Sequence, residues 1–248
     1  MGVLEALMLS IVQGVAEWLP ISSSGHLVLF EKLFKIQGAS LSFDIFLHLA
    51  SLAVIFLFFR EQIIEIIKAP FDTKGSNKKN WWWFIVISNI FTAAIGYYLY
   101  QEIDSFRSIS SVSNWFLITA ILLLATKFTK GDKSLNWKHA IALGIVQGFS
   151  VLPGLSRSGT VIAIALAMKI RKTEAFEYGF IVAIPAMIGS FLLTAKAFEF
   201  EMVYVLAFVV TFIVGYLSLK LLNLIMKRDY FYMFFVYTLL LSLIIKLT

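Results

Sequence analysis

The stretch Gln13-Gly14-Val15-Ala16-Glu17-Trp18-Leu19-Pro20-Ile21-Ser22-Ser23-Ser24-Gly25-His26 decides the fold, because it breaks an otherwise apolar run near its middle. Residues 3–35 read as helix, then Pro, serines and Gly, then helix again. A second apolar run, about 139–169, breaks the same way at Pro153-Gly154-Leu155-Ser156-Arg157-Ser158-Gly159-Thr160. At membrane depth, irregular backbone is tolerated only where protein or a water-filled cavity surrounds it. Each broken run is therefore expected to form a helix-loop-helix hairpin that enters and leaves the bilayer on one side.

Working outward, the remainder of the chain demands a membrane. Of 248 residues, 60% are hydrophobic, 16% aromatic and 15% charged, where a soluble domain carries about 25% charged residues. Six unbroken stretches, roughly 43–59, 81–100, 112–129, 174–196, 202–219 and 230–247, read as spanning helices. Each is close to the ~20 residues that cross a hydrocarbon layer of about 30 Å. Trp81, Trp82 and Trp83 open the second, where an interfacial aromatic belt belongs. The mixed-charge segment from Arg60 to Asn80 reads as an interfacial helix plus loop. The first run lacks a basic start and is interrupted by Gln13, Glu17 and Pro20, so a cleaved signal peptide is not expected. Without cysteine there is no disulfide framework and no thiolate chemistry. The net charge of +6 is scattered over short loops, which suits topology signals and anionic-lipid contacts and argues against nucleic acid.

Charge sidedness tests the hairpins. If both are re-entrant, one side receives the basic residues of Arg60–Lys79 (five), Lys127–Lys138 (four), Lys169–Lys172 (three) and Lys220–Arg228 (three). The other side receives only Lys32, Lys35, Arg107, Lys196 and Lys246. A single crossing by 139–169 would reduce this bias to eleven against nine. The positive-inside rule thus favours two re-entrant hairpins with both termini outside. The chain also repeats: Ile11-Val12-Gln13-Gly14 recurs as Ile145-Val146-Gln147-Gly148, and Ser22, Ser24 and Gly25 map onto Ser156, Ser158 and Gly159. One membrane domain, 1–248, is expected, with repeat one at about 1–130 and repeat two at about 135–248. Three spans follow each hairpin, so the second must enter from the opposite face. The fold expected is all-α, with six spans and two re-entrant hairpins in an inverted-topology repeat whose broken helices meet near the midplane.

Those loops carry the chemistry. Gln13 and Glu17 are i and i+4 and share a helix face. An ionisable residue at membrane depth costs ~2.5–3.5 kcal/mol and is a functional candidate by default; the alternative is a Glu17 solvated near the interface. Ser22, Ser23 and Ser24 begin the next half-helix, where hydroxyls cap free N–H groups and the helix N-terminus attracts anions. Capping alone is the plainer reading of any one serine. Serine becomes a nucleophile when a neighbouring base takes its proton, and Glu17 and His26 are the bases within reach. In the second loop, Arg157 offers a planar fork for phosphate oxygens, or a structural ion pair with Glu17 into which a phosphate would enter. Ser156, Ser158 and Thr160 read as caps and phosphate donors, and Gly25 and Gly159 complete the substrate-binding set. Base, nucleophile, cation and two helix N-termini together point to a phosphate or diphosphate. Asp44 and His48, i and i+4, have a supporting or metal-binding reading and an equally good capping one, while His139 and Glu177 are placed near helix ends.

Gln13 through His26 resembles the (Glu/Gln)-x3-Glu motif and following Ser/His segment of undecaprenyl-diphosphate phosphatases, the bacitracin-resistance family. Pro153-Gly154-Leu155-Ser156-Arg157-Ser158-Gly159 resembles that family's Pro-Gly-x-Ser-Arg-Ser motif, and Phe43-Asp44 through Arg60 is similar in pattern. The likeness covers essentially the whole chain. It implies hydrolysis of a C55-type polyprenyl diphosphate to the monophosphate and inorganic phosphate, recycling the lipid carrier of cell-wall glycan synthesis. It also implies a plasma-membrane site open to the outer face and a divalent cation, Mg2+ or Ca2+, with the metal ligands unassigned. By position, Glu17 becomes the acid/base, Ser23 the nucleophile supported by Ser22, His26 an aid to proton transfer and Arg157 the phosphate binder. Two departures stand out: Gln13 replaces a frequent Glu, and Val161 stands where the family has Thr, with Thr160 one place early. The partners implied are the polyprenyl diphosphate and membrane lipids, with a homodimer left open. The alternative function is a transporter or flippase of a phosphorylated polyprenyl lipid, which needs no nucleophile.

Overall fold

Helices account for every regular element among the described residues, apart from an isolated bridge pairing Lys133 with Ile170. The computed structural model describes residues 2–34, 41–71, 78–194 and 200–247, without the side chains of 41, 42, 44, 45, 104, 193 and 194. Lys35, Lys74, Lys196 and the Asp44 side chain thus lie outside the described residues. In chain order the helices are α1 Val3–Ala16, α2 Ser23–Leu33, α3 Leu41–Phe58, α4 Arg60–Lys68, α5 Trp81–Tyr100, α6 Ile103–Phe106 and α7 Ile109–Ala125. There follow α8 Trp137–Phe149, α9 Arg157–Ala167, α10 Lys172–Ile181, α11 Ala183–Thr194, α12 Met202–Lys227 and α13 Phe234–Leu247.

Four helical stretches are long and apolar enough to cross a bilayer: Trp81–Tyr100, Ile109–Phe128, Lys172–Leu192 and Met202–Lys227. The protein is an all-helical, multi-pass integral membrane protein. Helix α12 shows what lipid does to a helix: Val205, Val209, Ile213, Leu217 and Leu221 point outward, while Tyr204, Ala207, Thr211, Gly215 and Ser218 are buried. The residues expected to span at 43–59 and 230–247 are also helical, as α3 and as α13 preceded by a turn at Phe231–Met233. The segment expected as one plain helix at 174–196 is instead interrupted at Val182. Pro185 has no N–H and crowds the preceding turn. The Val182 carbonyl at this interruption accepts from Asn89 Nδ2 at 3.0 Å and Gln147 Nε2 at 3.5 Å.

Both broken runs form as expected at the local level. Helix α1 ends at Ala16 and a turn follows through Pro20, whose missing N–H cannot continue a helix. Serine then caps each second half-helix: Ser22 Oγ accepts from Gly25 N at 3.3 Å, and Ser156 Oγ accepts from Gly159 N at 3.1 Å. Helix α1 packs on α12, and α8 packs on α5. The two crossings are built alike. A Cβ on Gly14 would stand 2.9 Å from Val214 Cβ, and one on Gly148 would stand 2.7 Å from Ile95 Cβ. Thr211 Oγ1 donates to the Ser10 carbonyl at 3.1 Å, and Thr92 Oγ1 to the Gly144 carbonyl at 3.0 Å. Without a hydrophobic drive between helices in lipid, such close backbone approaches and interhelical hydrogen bonds hold them together.

Candidate active site

Helix α1 carries Gln13 and, just past its end, Glu17 into the molecule's interior; Gln13 is buried and Glu17 is 8% exposed. The Glu17 carboxylate is shared between the two loops. Its Oε1 forms an ion pair with Arg157 Nη2, contributed by the first residue of α9. Its Oε2 accepts from Ser23 Oγ at 2.6 Å and from Gln13 Nε2 at 3.2 Å. Buried charge is stable only when paired and hydrogen-bonded, and here both oxygens are satisfied. The other guanidinium nitrogen, Nη1, lies 3.8 Å from the Met187 thioether on α11.

The loops touch through backbone. Ser22 Oγ also accepts from Gly154 N at 3.1 Å and lies 3.4 Å from Ser24 Oγ. Gly154 adopts φ of 100°, which leaves no room or conformation for a side chain. A Cβ on Gly25 would stand 2.9 Å from Gly154 Cα and 2.6 Å from Phe116, and one on Gly159 would stand 3.0 Å from Pro20 Cβ. Thr119 of α7 braces the second loop, donating to the Gly154 carbonyl at 2.9 Å and accepting from Ser156 N at 3.1 Å. Ser22 itself sits at φ 67°, a left-handed conformation that costs a non-glycine residue ~1–3 kcal/mol and persists only where surroundings enforce it.

Of the residues expected from the sequence, Gln13, Glu17, Ser22, Ser23, Ser24, Gly25, Ser156, Arg157 and Gly159 are linked by these contacts. Ser158 and Thr160 are buried on α9, and their hydroxyls have no partner among the described residues. His26 is buried beside the site, yet neither ring nitrogen is spent on Ser23. Nδ1 lies 2.7 Å from the Ser22 carbonyl and Nε2 lies 2.7 Å from the Tyr237 hydroxyl of α13. His48 on α3 is exposed and close enough to Glu17 to act on its charge. The residues not anticipated are Thr119, Met187 and Tyr237.

An arrangement of this kind, a carboxylate gripping a serine hydroxyl on one oxygen and an arginine on the other, suits attack on a phosphate. The family model described as bacitracin resistance protein BacA matches residues 6–244. The chain belongs to the BacA family. A Thermosipho melanesiensis relative named undecaprenyl-diphosphatase is 37% identical over 221 residues, 88% of each chain. Relatives of the same name from Korarchaeum cryptofilum and Methanosphaera stadtmanae are 32% and 36% identical, covering 96% and 92% of this chain and 95% and 91% of their own.

The divalent cation implied by the BacA resemblance has few protein ligands to meet. Among the described residues no cluster of three or more His, Cys, Asp or Glu side chains forms. Among the described side chains near Ser23 there is one carboxylate, Glu17, and one buried amide oxygen, Gln13 Oε1, without a partner. This donor set fits a hard cation shared with a diphosphate, as Mg2+ commonly is, and not an all-protein cage.

Proposed function

We propose that this BacA-family chain hydrolyses undecaprenyl diphosphate to the monophosphate and inorganic phosphate, at the cluster of Glu17, Ser23 and Arg157. The observation that carries the proposal is the 2.6 Å bond from Ser23 Oγ to a carboxylate whose other oxygen holds Arg157. Glu17 takes the hydroxyl proton as Ser23 Oγ bonds to the terminal phosphorus, and the bond from phosphorus to the bridging oxygen breaks, releasing polyprenyl monophosphate. Glu17 hands that proton to the departing monophosphate, then takes one from the water that attacks the phosphoserine and returns it to Ser23 Oγ as inorganic phosphate leaves. In the direct variant, water takes the place of Ser23. Arg157 turns from Glu17 to the phosphate oxygens, joined by the N–H groups at the start of α9 and the free Ser158 and Thr160 hydroxyls. Glu17 and Gln13 Oε1 would hold a divalent cation, which supplies neutralisation of charge on the diphosphate. The proton-transfer role implied for His26 is not used in this scheme, since its ring nitrogens meet the Ser22 carbonyl and the Tyr237 hydroxyl.

Detergent micelles separate this reading from transport, since no second compartment exists there. Purified protein with Mg2+ or Ca2+ is expected to release phosphate from C55 diphosphate, and chelation to suppress it. A folded preparation that releases none ends the hydrolase reading and leaves the transporter alternative.

The finer topology proposed is six spans and two re-entrant hairpins in an inverted repeat, in the plasma membrane, with both termini and the active site at the outer face. Its supports are the charge bias and the two crossings built from matching Gly and Thr contacts. The chain lacks cysteine, so single cysteines report cleanly. An impermeant maleimide applied to intact cells is expected to label Lys32→Cys and Lys246→Cys, but Lys130→Cys only after permeabilisation. The opposite pattern refutes the orientation.

A further inference from the structure

His26 was a candidate base for Ser23, but both of its ring nitrogens are committed elsewhere. The Ser22 carbonyl only accepts, so Nδ1 bears a hydrogen in every protonation state. In the neutral ring Nε2 is then an acceptor, and the Tyr237 hydroxyl donates to it. The ring is further fixed edge-on to Phe116, with centroids 5.4 Å apart at 84°, and nearly parallel to Tyr237, 5.7 Å apart at 10°. To reach Ser23 the imidazole would have to give up both bonds. What it does hold is the carbonyl of Ser22, the one residue of this loop in a left-handed conformation. That same Ser22 bonds to Gly154 of the second loop and immediately precedes Ser23.

We infer that Tyr237 is a positioning residue for the phosphatase chemistry: it holds His26 on the Ser22 carbonyl and so fixes the turn that points Ser23 at Glu17. Helix α13 packs mainly on α7, and through this hydroxyl it also secures the first loop. Phenylalanine at 237 would keep the ring contact and lose only the donor, leaving Nε2 without a partner and the imidazole free to turn. This inference rests on the hydrolase reading above, and the test below keeps the two apart.

The full-length protein in micelles is assayed for phosphate release from a polyprenyl diphosphate as wild type, Tyr237→Phe, His26→Gln and the double variant. Tyr237→Phe is expected to lower kcat about tenfold with KM changed less than about twofold, since the phosphate contacts on α9 are untouched. His26→Gln should lose at least as much, and the double variant no more than His26→Gln alone, because the two side chains act as one unit. The protein has three histidines, so 15N-histidine labelling gives an independent reading. Tyr237→Phe should shift the imidazole resonances that vanish in His26→Gln, with the melting temperature held within about 2 °C. An unchanged kcat in Tyr237→Phe, multiplied losses in the double variant, or unmoved His26 resonances would each overturn the assignment. A wild type that releases no phosphate refutes the hydrolase reading instead, and the resonance shift still decides whether the clamp exists.

Discussion

Arg157→Ala is expected to remove phosphate release and weaken the fold at the same time. The guanidinium is the counter-charge of a carboxylate that is 8% exposed. Removing one partner of a buried pair strands the other, at a cost of about 3–5 kcal/mol. Loss of a preorganised donor to the developing phosphate charge adds a further ~10²–10³ in kcat. The two effects separate in further variants. Arg157→Lys keeps the charge without the fork, so stability should largely return while activity recovers only in part. Pairing Arg157→Ala with Glu17→Gln removes both charges, and should restore the melting temperature without restoring turnover. Thermal unfolding in micelles and phosphate release read the two axes. An Arg157→Ala protein with wild-type turnover would dismantle the site as assigned.

Ser23→Ala has the larger effect on chemistry and the smaller one on the fold. Its hydroxyl makes one hydrogen bond, to Glu17, so stability should fall by only about 1 kcal/mol. If Ser23 attacks phosphorus, kcat should fall by ~10⁴–10⁶, the range seen when a nucleophile acting as part of a unit is removed. A phosphorylated intermediate should then be trapped by acid quench in the wild type and absent in the variant. Full phosphate release by Ser23→Ala would exclude the covalent route and leave a water activated by Glu17. Glu17→Gln should be inactive on either route, which makes it the control for the pair.

Both loops were legible in the sequence because their chemistry sits at local interruptions. Pro20, Ser22 and Gly25 cannot be ordinary residues of a lipid-facing helix, and neither can Pro153, Gly154 and Arg157. Their meeting followed from the repeated spacing, and the ion pair of Glu17 with Arg157 was among the readings of those residues. Tyr237, Thr119 and Met187 gave no such sign. An aromatic with a polar tip in a membrane helix looks the same whether it anchors the interface or bonds a histidine. A helical threonine commonly bonds back to its own helix, so the reach of Thr119 to Gly154 was invisible. The spacing from Ser22 to His26 showed proximity but not direction: one helical turn lets the ring fold back onto the carbonyl instead of forward to Ser23. Pro185 is inconspicuous as a breaker because the hydropathy around it is continuous.

The crossings of α1 on α12 and of α8 on α5 impose an order on biosynthesis. Glu17 leaves the ribosome 140 residues ahead of Arg157, and Ser10 leaves 201 residues ahead of Thr211. At roughly 5–20 residues per second, the carboxylate waits about 7–28 s for its counter-charge. Its helix waits longer still for the surface it packs on. A segment made early is thus among the last to be seated, and a chain truncated before α9 carries the acid and the serine but not the arginine that pairs with the acid.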